Sequence, residues 1–181
     1  TATGTVIGGY GTAADERSLG GALDVPLADR FVAHVDASWR KSDDLRVGGR
    51  VVSDALRSDL LNQASNLRAQ GQADEADDLV AQANLTGRIP NSAARTFTFG
   101  GGLAFIDQGG DLGISVQRFD TRYGVPTRPG GGGEEGNVSI DLVQTRADLR
   151  GSLKLGGPFE SLQVRGAYGD YRHFELEGRD I

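Results

Sequence analysis

The residues best suited to chemistry are His173, Glu175 and Glu177, spaced two apart in the run 168–178. In an extended strand successive side chains point to opposite faces, so this spacing sets an imidazole and two carboxylates on one side. A neutral imidazole and a carboxylate so placed can both reach one cation, and zinc accepts that mixture of nitrogen and oxygen donors. His173 and Glu175 are therefore the candidate metal ligands, with Glu177 beside them. Two adjacent carboxylates, Glu134 and Glu135, lie in the Gly-rich stretch 129–137, and Tyr123 precedes that stretch. These three complete the candidate ligand contacts. The Gly-rich stretch is not a phosphate loop, because no Gly-Lys-Ser/Thr follows and the acidic pair repels phosphate. His34, beside Asp36 and Arg40, reads as a structural residue. No HExxH occurs and no Ser-His-Asp set has motif context, so an enzyme is not expected.

Composition narrows what must hold these groups. The 181 residues include no Cys and no Met, which removes disulfides, thiolate metal sites and thiol nucleophiles. Net charge is −6, with no basic stripe of the kind nucleic acid needs. Glycine is abundant at 28 residues, and no apolar run is long enough for a membrane-spanning helix. A soluble domain and an outer-membrane barrel both fit, since barrel strands are apolar on one face only.

Seven segments alternate with period two: 3–11, 18–27, 31–40, 96–105, 111–119, 146–155 and 161–178. One side carries apolar and aromatic residues (Leu23, Val35, Leu103, Ile114, Leu149, Val164), and the other carries charge (Asp24, Asp36, Arg150, Lys154, Arg165). Tight links follow the second, fourth and sixth segments, whereas long ones run from about Lys41 to Arg95 and from Arg122 to about Asn137. Short turns on one rim and long loops on the other predict an all-β, antiparallel up-and-down transmembrane barrel segment. On that reading Tyr10, Trp39 and Tyr168 lie near strand ends at the long-loop rim, and Phe31 and Phe105 near the short-turn rim. Leu162, Val164 and Tyr168 then face lipid, while Gln163, Arg165, Tyr171, His173, Glu175 and Glu177 face the lumen. A soluble β-sandwich with its apolar faces apposed is the alternative.

The longest link, 43–92, predicts an inserted extracellular loop with two short helices. Ser53 or Asp54 caps a run with Leu56, Leu60 and Leu67 at helical spacing. Gly71 ends it, and a second amphipathic stretch carries Ala76, Leu79, Val80 and Ala83. About seven strands cannot close an antiparallel ring of the even-numbered bacterial type, so the expectation is a portion of a larger barrel.

Several runs carry a resemblance: 88–126, 139–151 and 168–178. Their marks are Pro90-Asn91-Ser92 opening a strand, Tyr123-Gly124-Val125-Pro126 closing the next, Ile140-Asp141-Leu142 with Arg146 and Leu149-Arg150, and Asp170-Tyr171-Arg172-His173. Together they resemble TonB-dependent outer-membrane receptors, most nearly the zinc-uptake branch. The resemblance implies a barrel of about 22 strands, of which residues 1–181 form the N-terminal part, with a plug domain outside this chain. It also implies a place in the bacterial outer membrane, among its lipid and lipopolysaccharide. Import would be energised by the TonB-ExbB-ExbD complex acting through the plug, and the cargo would be a zinc ion, an iron chelate or a similar small nutrient. Zinc receptors carry a long His-rich loop after the Tyr-Gly-x-Pro motif. Here 127–137 is short and holds neither His nor Cys, so the cargo stays open. A small structural or adhesive outer-membrane barrel and a soluble all-β surface module remain the other readings.

Overall fold

A computed structural model describes residues 1–130 and 138–178. The chain is built largely of antiparallel strands: β1 (Thr3–Gly11), β2 (Glu16–Ala28), β3 (Phe31–Ser42), β4 (Arg46–Arg50), β5 (Thr86–Arg88), β6 (Ala94–Asp107), β7 (Gly110–Val125), β8 (Val138–Lys154) and β9 (Ser161–Glu177). Two helices, α1 (Asp54–Ala69) and α2 (Ala73–Ala83), lie between β4 and β5. The described residues form one seven-stranded sheet in the order β1-β2-β3-β6-β7-β8-β9, with β4 and β5 as a separate ribbon. Every main-sheet neighbour pairs antiparallel, so the chain is a meander with one insertion.

The short turns are chemically specified. β2 and β3 are joined through Asp29 and Arg30, after a register shift between Pro26 and Ala28. Pro26 has no N–H to give the ladder, which is why a bulge falls there. β7 begins at Gly110 (φ 155°), where a Cβ would run into the Ser152 carbonyl. Arg30 Nη1 donates to Asp107 Oδ2 at 3.2 Å, tying these two turns together.

The insertion has its own small core. Ser53 caps α1, its Oγ accepting from the Leu56 N–H at 3.2 Å. Leu60, Ala64, Ala76 and Ala83 are buried, and Arg68 bonds Asp77 across the two helices. At its base, Asp44 Oδ1 accepts from the N–H groups of Ser92 and Ala93 (2.9 and 3.1 Å). Asn91, at φ 56°, donates from Nδ2 to the carbonyls of Val125 (2.9 Å) and Val138 (2.6 Å). That side chain bridges the end of β7 to the start of β8, so Pro90-Asn91-Ser92 works as a hinge pin between insertion and sheet.

Among the described residues no second sheet packs on the apolar face: the seven long strands form one sheet, and the β4–β5 ribbon makes no packing contact with it. Leu23, Val35 and Ile114 are 41, 52 and 54% exposed. On β2, β3 and β6 the apolar run ends at Leu19, Trp39 and Phe97, which lie side by side in one row. On β7, β8 and β9 it ends two rows lower, at Val116, Ala147 and Tyr168; the positions level with Phe97 and Phe99 are Asp120 and Arg118. The lower edge shifts the same way by one row, from Phe31 and Phe105 to Leu153 and Leu162. The apolar band therefore runs obliquely across the hydrogen-bonded rows.

Three features differ from the sequence reading. β7 and β8 extend several residues further at the long-link end than alternation implies, to Val125 and from Val138. Tyr168 is not near a strand end, since β9 continues to Glu177. The β4–β5 ribbon was also not anticipated.

Candidate functional site

Cross-strand register gathers the candidate residues of β7 and β9 on one face. Tyr123 lies opposite Ile140, and Ile140 opposite Glu175. One row below come Thr121, Leu142 and His173, and one row above Val125, Val138 and Glu177. Tyr123 is thus two strand spacings from Glu175, roughly 10 Å. His173 packs its ring against Tyr171, centroids 5.6 Å apart, and His173, Glu175 and Glu177 are all exposed. Tyr171, His173 and Glu175 face away from Tyr168 and Val164, as the alternation requires. Glu134 and Glu135 lie outside the described residues. Among the described residues no three His, Asp or Glu side chains converge as metal ligands would. His173 and Glu175 therefore offer a cation two donors at most, and a third must come from a partner.

A second polar centre sits lower on the same face. His34 Nδ1 contacts Asp24 Oδ1 at 2.8 Å, and Nε2 contacts Asp36 Oδ1 at 3.2 Å. An ionised carboxylate only accepts, so the ring serves both neighbours only when both nitrogens carry hydrogen. The backbone makes room for this bridge. Gly102 lies opposite His34 and Gly100 opposite Asp36, and a Cβ on Gly100 would meet Asp36 Oδ1 at 2.9 Å. A depression of about 540 Å³ opens here, lined by Asp24, His34, Asp36, Gln117, Asp148 and Arg150. Arg146 donates to Asp148 at 2.7 Å along its rim.

No protein-family model matches the chain, and no curated protein matches it.

The sequence reading placed His34 beside Asp36 and missed Asp24. The signal was present: a tight turn at Asp29 makes residues 24 and 34 equidistant from the hairpin tip, and therefore opposite one another. The lower centre is self-satisfied, with each His34 nitrogen already engaged. The upper one is open: His173, Glu175, Glu177 and Tyr123 make no hydrogen bond or ion pair among the described residues. It adjoins half-buried Phe119, Ile140 and Leu142, so it offers apolar contact, an aromatic hydroxyl, an imidazole and carboxylates together. That combination suits a small cationic or metal-bearing ligand more than a polyanion.

Proposed function

We propose that this chain is part of a transmembrane β-barrel of the bacterial outer membrane, of the TonB-dependent receptor type, that imports a metal ion, metal chelate or similar small nutrient. One observation carries the membrane reading: a single sheet bears an exposed apolar band on one face and a charged opposite face, and that band cuts obliquely across the strand rows. A membrane slab must cut strands this way when they tilt. From β3 to β9 there are four strand spacings, about 19 Å, over which the band's edges drop one to two rows, about 7–13 Å. That corresponds to a tilt of roughly 20–35°, which at its upper bound meets the ~35–45° typical of closed barrels. A sheet edge in hydrocarbon has to be paired, so β1 and β9 of such a sheet meet further strands. The resemblance of residues 88–178 to the receptors supports a ring of about 22 strands.

On this reading the face with His34, Asp148 and His173 lines the lumen, and the open cluster at Tyr123, His173 and Glu175 lies towards the outer rim. Cargo entering from outside meets that cluster first, with a plug from beyond this chain supplying the missing donors.

The test is uptake in cells lacking the protein. Accumulation of labelled zinc or of one iron chelate should fall, return when the intact gene is restored, and fail to return without TonB. Unchanged accumulation of every metal tried, or full rescue in the absence of TonB, would defeat the transport reading. His173→Ala with Glu175→Ala should reduce uptake at low metal concentration and spare it at high.

A further inference from the structure

Four cations stand side by side across four strands, on the same face as the apolar band. Arg17 lies opposite Lys41, Lys41 opposite Arg95, and Arg95 opposite Arg122. Like charges directly opposed on a sheet repel one another. Elsewhere on this face cations have carboxylates to hand: Arg118 pairs with Asp120, Arg172 with Asp170 and Arg30 with Asp107. Arg122 lies opposite Asp141 and is itself engaged. Arg17, Lys41 and Arg95 have no ion-pair partner among the described residues, and all three are exposed. In a chain of net charge −6, such a concentration of unpaired positive charge calls for an anion.

We propose that this row binds the headgroup of a lipid carrying more than one phosphate. The row directly beneath it is Leu19, Trp39 and Phe97, the top of the apolar band. The step between the two rows is roughly 7 Å, the interval between acyl chains and headgroup phosphates. A lipid whose tails lie along Leu23, Val35 and Leu103 brings its phosphates level with the cations. Arg17, Lys41 and Arg95 spread three cations over two strand spacings, about 10 Å of backbone, enough to engage two phosphates side by side. Arginine forks suit phosphate oxygens, and the lysine between them adds a mobile point charge. The inference rests on the membrane reading above and adds to it a specific lipid contact.

The experiment uses the full protein extracted in nonionic detergent, titrated with cardiolipin as the doubly phosphorylated probe, with bound lipid counted by native mass spectrometry. The variant R17Q/K41Q/R95Q should weaken binding about fivefold per cation, on the order of 100-fold in total. Inorganic phosphate should not displace the lipid, and R40Q/R150Q/R165Q, on the opposite face, should bind as the wild type does. Lys41→Gln alone should show the fivefold step if the triple variant fails to fold. Equal binding by wild type and the R17Q/K41Q/R95Q variant would overturn the site. So would displacement by inorganic phosphate, or equal loss in both triple variants. A wild-type protein that stays soluble without detergent would overturn the membrane reading, and the lipid site with it.

Discussion

Strand β2 offers a depth gauge. Leu19 and Leu23 lie on its apolar face four residues apart, 59 and 41% exposed; Leu27, four residues further and 61% exposed, falls in the bulge between Pro26 and Ala28, and Ala22 lies on the opposite face against Asp36. Four residues of strand cover about 13 Å, and on the membrane reading, at a tilt of roughly 20–35°, each interval spans about 11–12 Å along the membrane normal. Leu19 to Leu27 thus covers roughly 22–25 Å, close to the ~25 Å apolar band of outer-membrane barrels. An arginine replacing Leu23 would sit near the midplane and should cost about 2–4 kcal/mol, falling to about 0–1 at Leu19 and Leu27. Ala22→Arg should be neutral or slightly stabilising, because its new charge faces Asp36. Equilibrium unfolding in guanidinium with vesicles present measures all four variants on one scale. A flat series over the three leucines would remove the bilayer from the explanation. So would equal costs at Leu23 and Ala22. A dry protein core would penalise all three leucine positions, whereas a slab of lipid penalises chiefly the middle one.

Three further perturbations probe the scaffold. Gly102→Ala forces a Cβ to within 2.8 Å of the Ile114 carbonyl and 3.1 Å of Ser115, and should destabilise by about 1–3 kcal/mol; Gly101→Ala, with its nearest contact at 3.4 Å, should cost less in the same denaturation assay. Asn91→Gly keeps the positive φ but loses both bonds to Val125 and Val138, so hydrogen exchange at Gly124 should accelerate. Asn91→Ala should add about 1–3 kcal/mol of backbone strain to that loss; identical exchange in wild type and both variants would contradict the bridge. Leu60→Ala should cost about 2–5 kcal/mol within the helical hairpin, seen as faster helix amide exchange, and leave the guanidinium midpoint of the sheet unmoved. A shift of that midpoint would show the hairpin and sheet unfold together.

Most of the fold was legible because strand alternation and turn chemistry are local. Leu19, Leu23, Val25 and Leu27 against Ser18, Ala22 and Asp24 define β2 without reference to the rest of the chain. Ser53, Leu56, Leu60 and Gly71 likewise fix α1 and its end. The register followed wherever the turn was tight, as at Asp29. It was obscure across 43–92, where the pairing of Trp39 with Phe97 depends on how a whole insertion folds. The candidate site was only half legible for the same reason: His173 and Glu175 share a strand, whereas their closeness to Tyr123 depends on two register settings, β7 with β8 and β8 with β9. Asp141 and Arg146, prominent in the resemblance, fall on opposite faces, a separation that only the pairing makes concrete.

The ends of β7 and β8 that alternation missed have a common cause. Beyond Val116 and Ala147, two rows below that of Leu19, Trp39 and Phe97, the two faces of β7 and β8 exchange character. Leu112, Ile114 and Val116 give way to Arg118, Asp120 and Arg122 on one face, as Ser115 and Gln117 give way to Phe119 and Tyr123 on the other. A pattern that follows one phase of alternation stops at that exchange, which is why the ends of β7 and β8, Arg122 among them, are not legible as strand. The exchange has a physical reason on the membrane reading. Below it the outward face meets hydrocarbon and the inward face meets water. Above it the outward face meets headgroups and water, and Asn91 lies against that outward face at Gly124. A strand that leaves the bilayer must swap the addresses of its polar and apolar residues, and the level of the swap marks the membrane surface. On that reading Arg17, Lys41 and Arg95 stand at the surface on β2, β3 and β6, and the open cluster of Tyr123, His173 and Glu175 lies on the inward face above it. On the membrane reading, the change of phase that hid the extended ends of β7 and β8 from the sequence is also what sets the open cluster at the mouth.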